Sequence, residues 1–375
     1  MSYPILFGNM ASSGSSGGIN YYGDGSDGLV TYSTNTSLVV PNKVGSYDGD
    51  MVVKNYTGLT INSGVTLTTD QPNRGLLIYV QGDCNINGTL SMKGRGPYAN
   101  PTIGGASDGN AVPSSGLQIP FRTLSGSSSL TPSTSLFNGA GNSARTAISN
   151  HTPLVGNGTV LSLVRQGAAG GARTGGGTPI NPNPGISGSV GQTGGGGSGG
   201  GYYNEGQGGG GSYGSCFGGG SGGGGSHGNA GNAENATAWG GPGGRPLSDN
   251  GYSTPGGIGN PNGVWSTTNT YTSSNGIDNS VGGTGGLIIL VVGGTLTIGG
   301  QGLITVDGVT GPQFANSDRG GGGASGGGNM VLAYKTAFIN NGGSYTANGG
   351  SSWGWNYSQV GAAGGNGSIQ TLQIL

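Results

Sequence analysis

The stretch that decides the fold reads Gly286-Leu-Ile-Ile-Leu-Val-Val-Gly-Gly-Thr-Leu-Thr-Ile-Gly-Gly-Gln-Gly-Leu-Ile-Thr-Val-Asp-Gly308. It contains three short runs of aliphatic and β-branched residues, and glycine bounds each run. Runs of this length and composition are typical of β-strands, with glycine in the turns between them. A unit of three such strands cannot bury its apolar face alone, so we expect it to stack on copies of itself.

The same order of runs recurs along the chain, which predicts a β-solenoid. Two further full copies, a looser copy and a final half-copy occupy residues 75–94, 329–349, 50–69 and 368–375. The looser copy precedes residue 75 by about 25 residues, the length expected of one coil. A large insertion, residues 97–285, separates two of the coils. Long insertions at a surface turn cost little extra entropy, so a solenoid can carry this one.

Composition excludes several classes of protein. Glycine accounts for 93 of 375 residues, and charged residues make up only 7%. This much glycine is incompatible with an ordinary α-helical protein, and no Gly-X-Y period indicates collagen. The formal net charge is −1, so no basic surface is available to bind nucleic acid. Disorder of the whole chain is a weaker alternative, because disordered chains usually carry high net charge.

The second half of the insertion contains long glycine tracts, such as residues 194–201, 208–211 and 218–225. Such tracts form either flexible linkers or extended polyglycine helices that bond laterally through their backbone N–H and C=O groups. The tracts have similar lengths and alternate with segments that hold aromatic residues, which favours packed helices. Residues 97–190 are rich in Ser, Thr, Asn and Pro, which predicts irregular structure with a few strands.

These features together resemble a known class of protein. The residues concerned are Gly23-Asp-Gly-Ser-Asp-Gly28, Leu59-Thr-Ile-Asn-Ser-Gly-Val-Thr-Leu67 and Ile86-Asn-Gly-Thr-Leu90, followed by glycine tracts and a return strand. They resemble glycine-rich virion proteins of tailed bacteriophages, and the tracts are similar to those of the adhesins at the tip of T-even long tail fibres. The resemblance implies a layered sandwich of polyglycine II helices whose loops touch the host surface. It covers residues 20–96 and 191–375, whereas the large share of β-repeats and residues 97–190 depart from that family.

The resemblance and the repeats together predict five parts of an all-β chain. Residues 1–45 are an N-terminal virion-docking segment, and residues 46–96 are the first part of a β-repeat stem. The Ser/Thr/Asn/Pro-rich insert, residues 97–190, comes next. A polyglycine-helix region with aromatic loops, residues 191–285, follows it. Residues 286–375 complete the stem and include further glycine tracts.

Catalytic or metal-binding chemistry has little support in the sequence. The densest acidic group lies beside glycine, as is usual in turns, and comprises Asp24, Asp27, Asp48 and Asp50. Residues 22–29 match the calcium-binding nonapeptide only in part and only once, whereas such sites need stacked neighbours. His151 and His227 have no Ser or Cys constellation that spacing would support. We therefore expect no enzyme, no cofactor and no metal.

The two cysteines and the apolar segments also limit the interpretation. Cys84 and Cys216 are too few for a disulfide framework or a zinc site, so we expect free thiols, although their pairing stays open. The first eight residues carry no Lys or Arg and have too short an apolar run for a signal peptide. The longest later apolar run has six residues, too few for a membrane-spanning helix. A soluble protein without membrane insertion is the expectation.

Aromatic residues are the best candidates for receptor binding, because aromatic rings stack on sugars and anchor protein interfaces. Several lie in segments too rich in glycine to build a conventional core, and three alternate near the end of the chain. The alternative is that the rings act as spacers between glycine helices. The candidates are Tyr202, Tyr203, Tyr213, Phe217, Trp239, Trp265, Tyr271, Trp353, Trp355 and Tyr357.

The function predicted from these features is that of a non-enzymatic virion adhesin. It would be assembled in the host cytoplasm, dock to other virion proteins and contact a host surface glycan or an outer-membrane protein. The alternatives are a structural virion component, such as a decoration or fibre connector protein, and a polysaccharide-degrading tail spike. The oligomeric state is open, and a homotrimer is one option.

Overall fold

A computed structural model describes residues 22–43, 45, 49–97, 119–123, 126–130, 154–156, 159–161, 167–171, 183–198, 211, 214, 217–220, 222, 284–310, 323–351 and 361–373. Regular structure within these ranges consists of β-strands alone. No helix there is long and apolar enough to cross a membrane. The predicted all-β class is therefore confirmed.

The strands form coils that stack in parallel, and each coil turns through up to three faces. The first two coils comprise β1 (Gly28–Tyr32), β2 (Thr36–Leu38), β3 (Val52–Ile61) and β4 (Thr66–Thr69). The third comprises β5 (Leu76–Val80), β6 (Cys84–Ile86) and β7 (Thr89–Ser91). Two short antiparallel pairs follow within the insertion, β8 (Ile119–Thr123) with β9 (Gly126–Leu130) and β10 (Leu154–Gly156) with β11 (Thr159–Leu161).

The remaining coils follow the insertion and continue the same stack. The fourth comprises β12 (Leu287–Val292), β13 (Thr295–Ile298) and β14 (Leu303–Thr305). The fifth comprises β15 (Asn329–Tyr334), β16 (Ala337–Asn340) and β17 (Ser344–Thr346), and β18 (Ser368–Gln373) begins a sixth. The coils on the two sides of the insertion are thus direct neighbours in space, because β12 pairs with β5.

The three faces are continuous parallel ladders across the coils. Face 1 holds the first half of β3, then β5, β12, β15 and β18. Face 2 holds β1, the second half of β3, β6, β13 and β16. Face 3 holds β2, β4, β7, β14 and β17. The predicted stacking of short strands is confirmed, with parallel pairing throughout these ladders.

Aliphatic side chains at matching positions of successive coils fill the interior. Leu290 lies between Ile78 and Leu332 in the face 1 ladder, and all three are fully buried. The equivalent positions on face 3 are Leu67, Leu90 and Ile304, also fully buried. Because each rung repeats the same interior positions, the coils form one continuous apolar core.

The solenoid begins before the predicted stem. β1 and β2 belong to the first coil, although they fall within the 1–45 segment that was predicted to dock to the virion. The docking prediction itself is independent of this boundary. Cys84 is a free thiol inside the core and lies opposite Leu296 in the face 2 ladder. Cys216 lies outside the described residues.

Candidate functional site

Glycine-rich segments extend from the side of the solenoid in the fourth and fifth coils. After β14 the chain leaves along residues 306–310 and returns to β15 along residues 323–328. After β17 it leaves along residues 347–351 and returns to β18 along residues 361–367. The outgoing segments bond to each other, since Gly308 N–H donates to Asn348 O at 2.7 Å. The returning segments do the same, since Gly327 N–H donates to Gly365 O at 2.9 Å.

Segments of the insertion pack against these returning segments. Residues 193–198 occupy the centre of the arrangement. Gly194 N–H donates to Gly327 O at 2.8 Å, and Gly197 N–H donates to Ala324 O at 2.9 Å. The same contact thus recurs three residues later along an antiparallel neighbour. Residues 193–198 are buried throughout.

Backbone hydrogen bonds spaced three residues apart also join residues 193–198 to their other neighbours. Gly195 and Ser198 donate to Ile186 and Asn183, both at 2.9 Å. Residues 168–171 lie on another side, where Ala168 and Gly171 donate to Thr193 and Gly196, both at 2.8 Å. On a further side Gly365 and Ala362 donate to Gly195 and Ser198, at 2.8 and 2.7 Å. The central segment therefore bonds laterally to at least four neighbours, each through every third residue.

Glycine is required here because the backbones touch. A Cβ atom at Gly194 would overlap the carbonyl oxygen of Gly365, and one at Gly195 would overlap that of Ala169. At Gly326 it would meet the carbonyl oxygen of Gly194. Backbone atoms cannot move aside as a side chain can, so these positions exclude even alanine without separating the segments. The lateral bonds satisfy backbone groups that have almost no side chains around them.

Eight segment ends meet at one edge of this arrangement, which we call the loop end. Direct hydrogen bonds align these ends, for example Gly211 to Gly171 and Ala324 to Ala362, both at 2.9 Å, and Ser325 to Val309 at 3.1 Å. Asn183 N–H also donates to the Ser198 hydroxyl at 2.8 Å. The loop end consists of Gly171, Asn183, Ser198, Gly211, Thr310, Gly323, Ser351 and Gly361.

Four stretches that lie outside the described residues have both of their flanking residues at the loop end. They are residues 172–182, 199–210, 311–322 and 352–360. Two of them carry five of the predicted receptor-binding residues in the sequence, namely Tyr202, Tyr203, Trp353, Trp355 and Tyr357. Chain segments far apart in sequence are thus anchored side by side. Receptor contact by these five residues stays a prediction.

Of the other predicted aromatic residues, Phe217 is the one that the structure describes. Phe217 is only 1% exposed, so its ring serves packing, which is the spacer alternative. Tyr213 is not described but lies between Gly211 and Gly214, which bond to Gly171 and Ala168 within the glycine-rich segments. Trp239, Trp265 and Tyr271 lie in residues 223–283, outside the described residues. The stretch 311–322 contains Phe314, a further aromatic residue that the sequence analysis did not name as a candidate. The signal for it was its place in the sequence between the outgoing segment 306–310 and the returning segment 323–328.

The described aspartates serve the turns of the solenoid. Hydrogen bonds from the Ser26 hydroxyl and from the Ser26 N–H, the latter at 2.9 Å, lower the pKa of the Asp24 carboxyl. Asp27 accepts from Lys54 and from the Asn55 N–H, at 2.9 and 2.7 Å. Further hydrogen bonds join Asp50 to Asn42, Asp70 to Lys43 and Val40, Asp83 to Thr295, and Asp307 to Thr346 and Asn348. These contacts match the turn role expected of Asp24, Asp27 and Asp50, whereas Asp48 lies outside the described residues.

Reactive groups in the described ranges are buried or dispersed. Desolvation raises the pKa of the Cys84 thiol, and the neighbouring Asp83 charge raises it further. Burial and the hydrogen bond with Tyr32 raise the pKa of Tyr56. No group of three or more His, Cys, Asp or Glu side chains in the described part could hold a metal ion. Both histidines and both glutamates lie outside it.

Comparison with known protein families, with curated proteins and with solved structures finds no match to this chain.

Proposed function

We propose that the chain is a non-enzymatic adhesin of a bacteriophage virion, in which the loop end faces the host cell. The observation that carries the proposal is the alignment of eight segment ends through direct hydrogen bonds. Four stretches with both flanks in this set carry aromatic, amide and hydroxyl residues suited to sugar or protein contact. Since fold alone does not determine function, the proposal rests on this edge and on the resemblance to phage adhesins.

We infer further that the glycine-rich segments are polyglycine II helices and that the insertion forms a packed sandwich of them. A repeat of three residues in the lateral hydrogen bonds supports this inference, because this helix type has three residues per turn. The glycines of residues 194–197 and 326–328 are absent from the set with positive φ, as expected for the extended left-handed helix. The overlaps that a Cβ atom would create support the same packing.

The proposed mechanism is rigid display. Ordering many glycines is entropically unfavourable, and lateral bonds on several sides of each segment offset that cost. A stiff scaffold reduces the entropy lost when its loops bind a receptor, so few contacts suffice per molecule. Several copies on one virion would multiply weak single contacts into stable attachment. The nearly neutral charge of the chain favours receptor contact through aromatic and polar groups over long-range electrostatic attraction.

We propose that residues 1–45, which include β1 and β2 of the first coil, dock to other virion proteins. Two large apolar side chains of this coil region are exposed to solvent, Leu29 at 80% and Val39 at 74%. Exposed apolar residues at the end of a strand stack suit contact with a partner protein. This end of the solenoid and the loop end would then serve different partners.

The test is a binding assay with the purified chain. We expect it to bind host cells or their lipopolysaccharide and to compete with the phage for adsorption. The double variant Trp353→Ala with Trp355→Ala should weaken binding by about tenfold or more, as for anchor residues of interfaces. Leu29→Ser is the matched control, because it removes an exposed apolar side chain on the first coil and should leave host binding unchanged.

The opposing outcomes are distinct. Absence of host binding, together with stoichiometric incorporation into the virion, would replace the proposal with a structural role. Release of reducing sugars from the host polysaccharide would instead establish a degrading tail spike.

A further inference from the structure

In the part of the chain that the structure describes, the solenoid has an uncovered end at its fifth coil. On face 1 the ladder continues from β15 to β18. On faces 2 and 3 the described strands end with β16 and β17, whose outer edges have no paired strand in the described part. Edge strands with free backbone groups pair readily with other chains, and solenoids need caps at their terminal repeats.

The interior positions at this end are aromatic and only partly buried. Phe338 continues the ladder above Leu296, and Tyr345 continues the ladder above Ile304. Leu296 and Ile304 are fully buried, whereas Phe338 and Tyr345 remain partly exposed. Their ring centroids lie 5.9 Å apart in an edge-on arrangement, and Phe338 also stacks on Tyr334 at 5.8 Å. An apolar surface therefore faces outward where a further coil would lie.

A segment near the N-terminus crosses the coils towards this end. Residues 22–25 run over the corner between faces 1 and 2. Gly25 lies against Thr57 of the second coil, and Gln81 of the third donates to Gly23 O at 3.1 Å. Positive φ values of 78° at Gly23 and 70° at Gly25 allow this close path.

The crossing ends beside the fifth coil. A Cβ atom at Gly293, after β12, would touch the Tyr22 ring. The Lys335 ammonium, after β15, lies 5.8 Å from the centroid of the same ring. Tyr22, the first residue that the structure describes, therefore lies next to the uncovered end and not next to the first coil.

We propose that residues 1–21 cover the uncovered end, with the apolar run Ile5-Leu6-Phe7 on Phe338 and Tyr345. The 14 residues between Phe7 and Tyr22 can span up to about 50 Å, far more than the roughly 13 Å length of β16. The run is apolar and uncharged, as contact with aromatic rings requires. The first coil, with exposed Leu29 and Val39, then remains the surface for virion docking within the 1–45 segment.

Amide hydrogen exchange of the full-length chain tests the proposal. The Asn341 and Ser344 amides point into the stack, because they donate to Ile298 and Gly302. By alternation along a strand, the amides of Phe338, Asn340 and Tyr345 point out of it. We expect these three to exchange slowly in the unmodified protein. The variant Leu6→Ser with Phe7→Ser should accelerate their exchange by about tenfold or more and leave the Asn341 and Ser344 amides unchanged.

The control variant is Ser15→Asn with Ser16→Asn, which alters the same stretch outside the apolar run and should leave all five amides unchanged. Rapid exchange of the three outward amides in the unmodified protein would overturn the proposal. So would protection that rises with protein concentration, because that would make a second copy the covering partner. These outcomes do not depend on host binding, so they are separate from the test of the proposed function.

Discussion

The substitution Gly195→Ala is the sharpest perturbation of the glycine-rich segments. Its Cβ atom would overlap the carbonyl of Ala169, so the segment 168–171 must move away from residues 193–198. That movement breaks the bonds from Ala168 to Thr193 and from Gly171 to Gly196, both 2.8 Å long and between buried residues. Each of the two broken bonds costs about 1–3 kcal/mol, and the alanine offsets about 0.4–1 kcal/mol of this loss because it restricts the unfolded chain. We expect a net loss of about 2–4 kcal/mol.

This loss can be measured locally by hydrogen exchange of the Ala168 and Gly171 amides. A loss of 2–4 kcal/mol corresponds to roughly 30- to 1,000-fold faster exchange. Gly300→Ala is the control, because Gly300 is exposed and the nearest atom to its Cβ position is the Asn341 oxygen at 3.3 Å. Gly195→Ala should also reduce host binding, because it loosens the segments that anchor the loop end, whereas Gly300→Ala should not. Equal exchange in the two variants would refute the backbone-contact reasoning.

Three further predictions concern the core, the buried thiol and the aromatic residues. Leu290→Ala should lower the free energy of unfolding, measured in urea, by about 2–5 kcal/mol, and Leu290→Met by less than about 1.5 kcal/mol. Equal losses in the two variants would argue against tight packing of the core. In a Cys216→Ser background, Cys84 should resist thiol reagents at pH 8.5 until denaturant is added. Burial raises the pKa of the Cys84 thiol in the folded protein, so its contribution to the free energy of unfolding is complete below the unfolded pKa of about 8.5 and declines as the pH rises above that value. Urea unfolding at pH 7 and at pH 10 would measure this decline. Phe217→Ala should lower the free energy of unfolding by about 3–5 kcal/mol, whereas Trp355→Ala should leave the melting curve unchanged and weaken adsorption. The reverse pattern would mean that Trp355 packs inside the protein and Phe217 contacts the receptor.

Much of the solenoid was predictable because its strands repeat a local pattern. The apolar runs of the copies at residues 75, 286 and 329 become β5, β12 and β15. Alignment of the copies by their leading residues places Leu76 opposite Leu287, whereas the structure pairs Leu76 with Ile288. The six-residue run of β12 has one more apolar residue than the five-residue run of β5, so the pattern alone leaves its register ambiguous by one position.

The glycine spacing carried information about neighbours that composition did not reveal. In the outer segment 183–190, Gly185 and Gly188 are three residues apart, and a Cβ atom at either would meet a backbone carbonyl oxygen of residues 192–195. Ile186 and Val190 of the same segment are exposed at 58% and 61%. In the central segment, residues 194–197 are all glycine because neighbours surround it. The tract lengths predicted packing, but the identity and direction of each neighbour depend on tertiary contacts that no local pattern encodes.

The candidate site was predictable only in part, for the same reason. Aromatic residues near glycine tracts were identified from the sequence, yet Phe217 lies inside the packing. Its sequence context, a ring between short glycine tracts, is the same as that of Tyr202 and Tyr203. The hydrogen-bond partners of Ser198 and Gly211 distinguish the two cases, because they place both residues that flank 199–210 at the loop end.

Hydrogen exchange of the Gly194, Gly195, Gly197 and Ser198 amides tests the central claim most directly. Two of these amides donate to residues 323–328 and two to residues 183–190, on different sides of the central segment. If lateral backbone bonds make it stiff, they should exchange as slowly as the amides of β12 in the solenoid core. Exchange at the rate of an unstructured glycine chain would mean that no rigid support holds the loop end, and attachment through rigidly displayed loops would be contradicted.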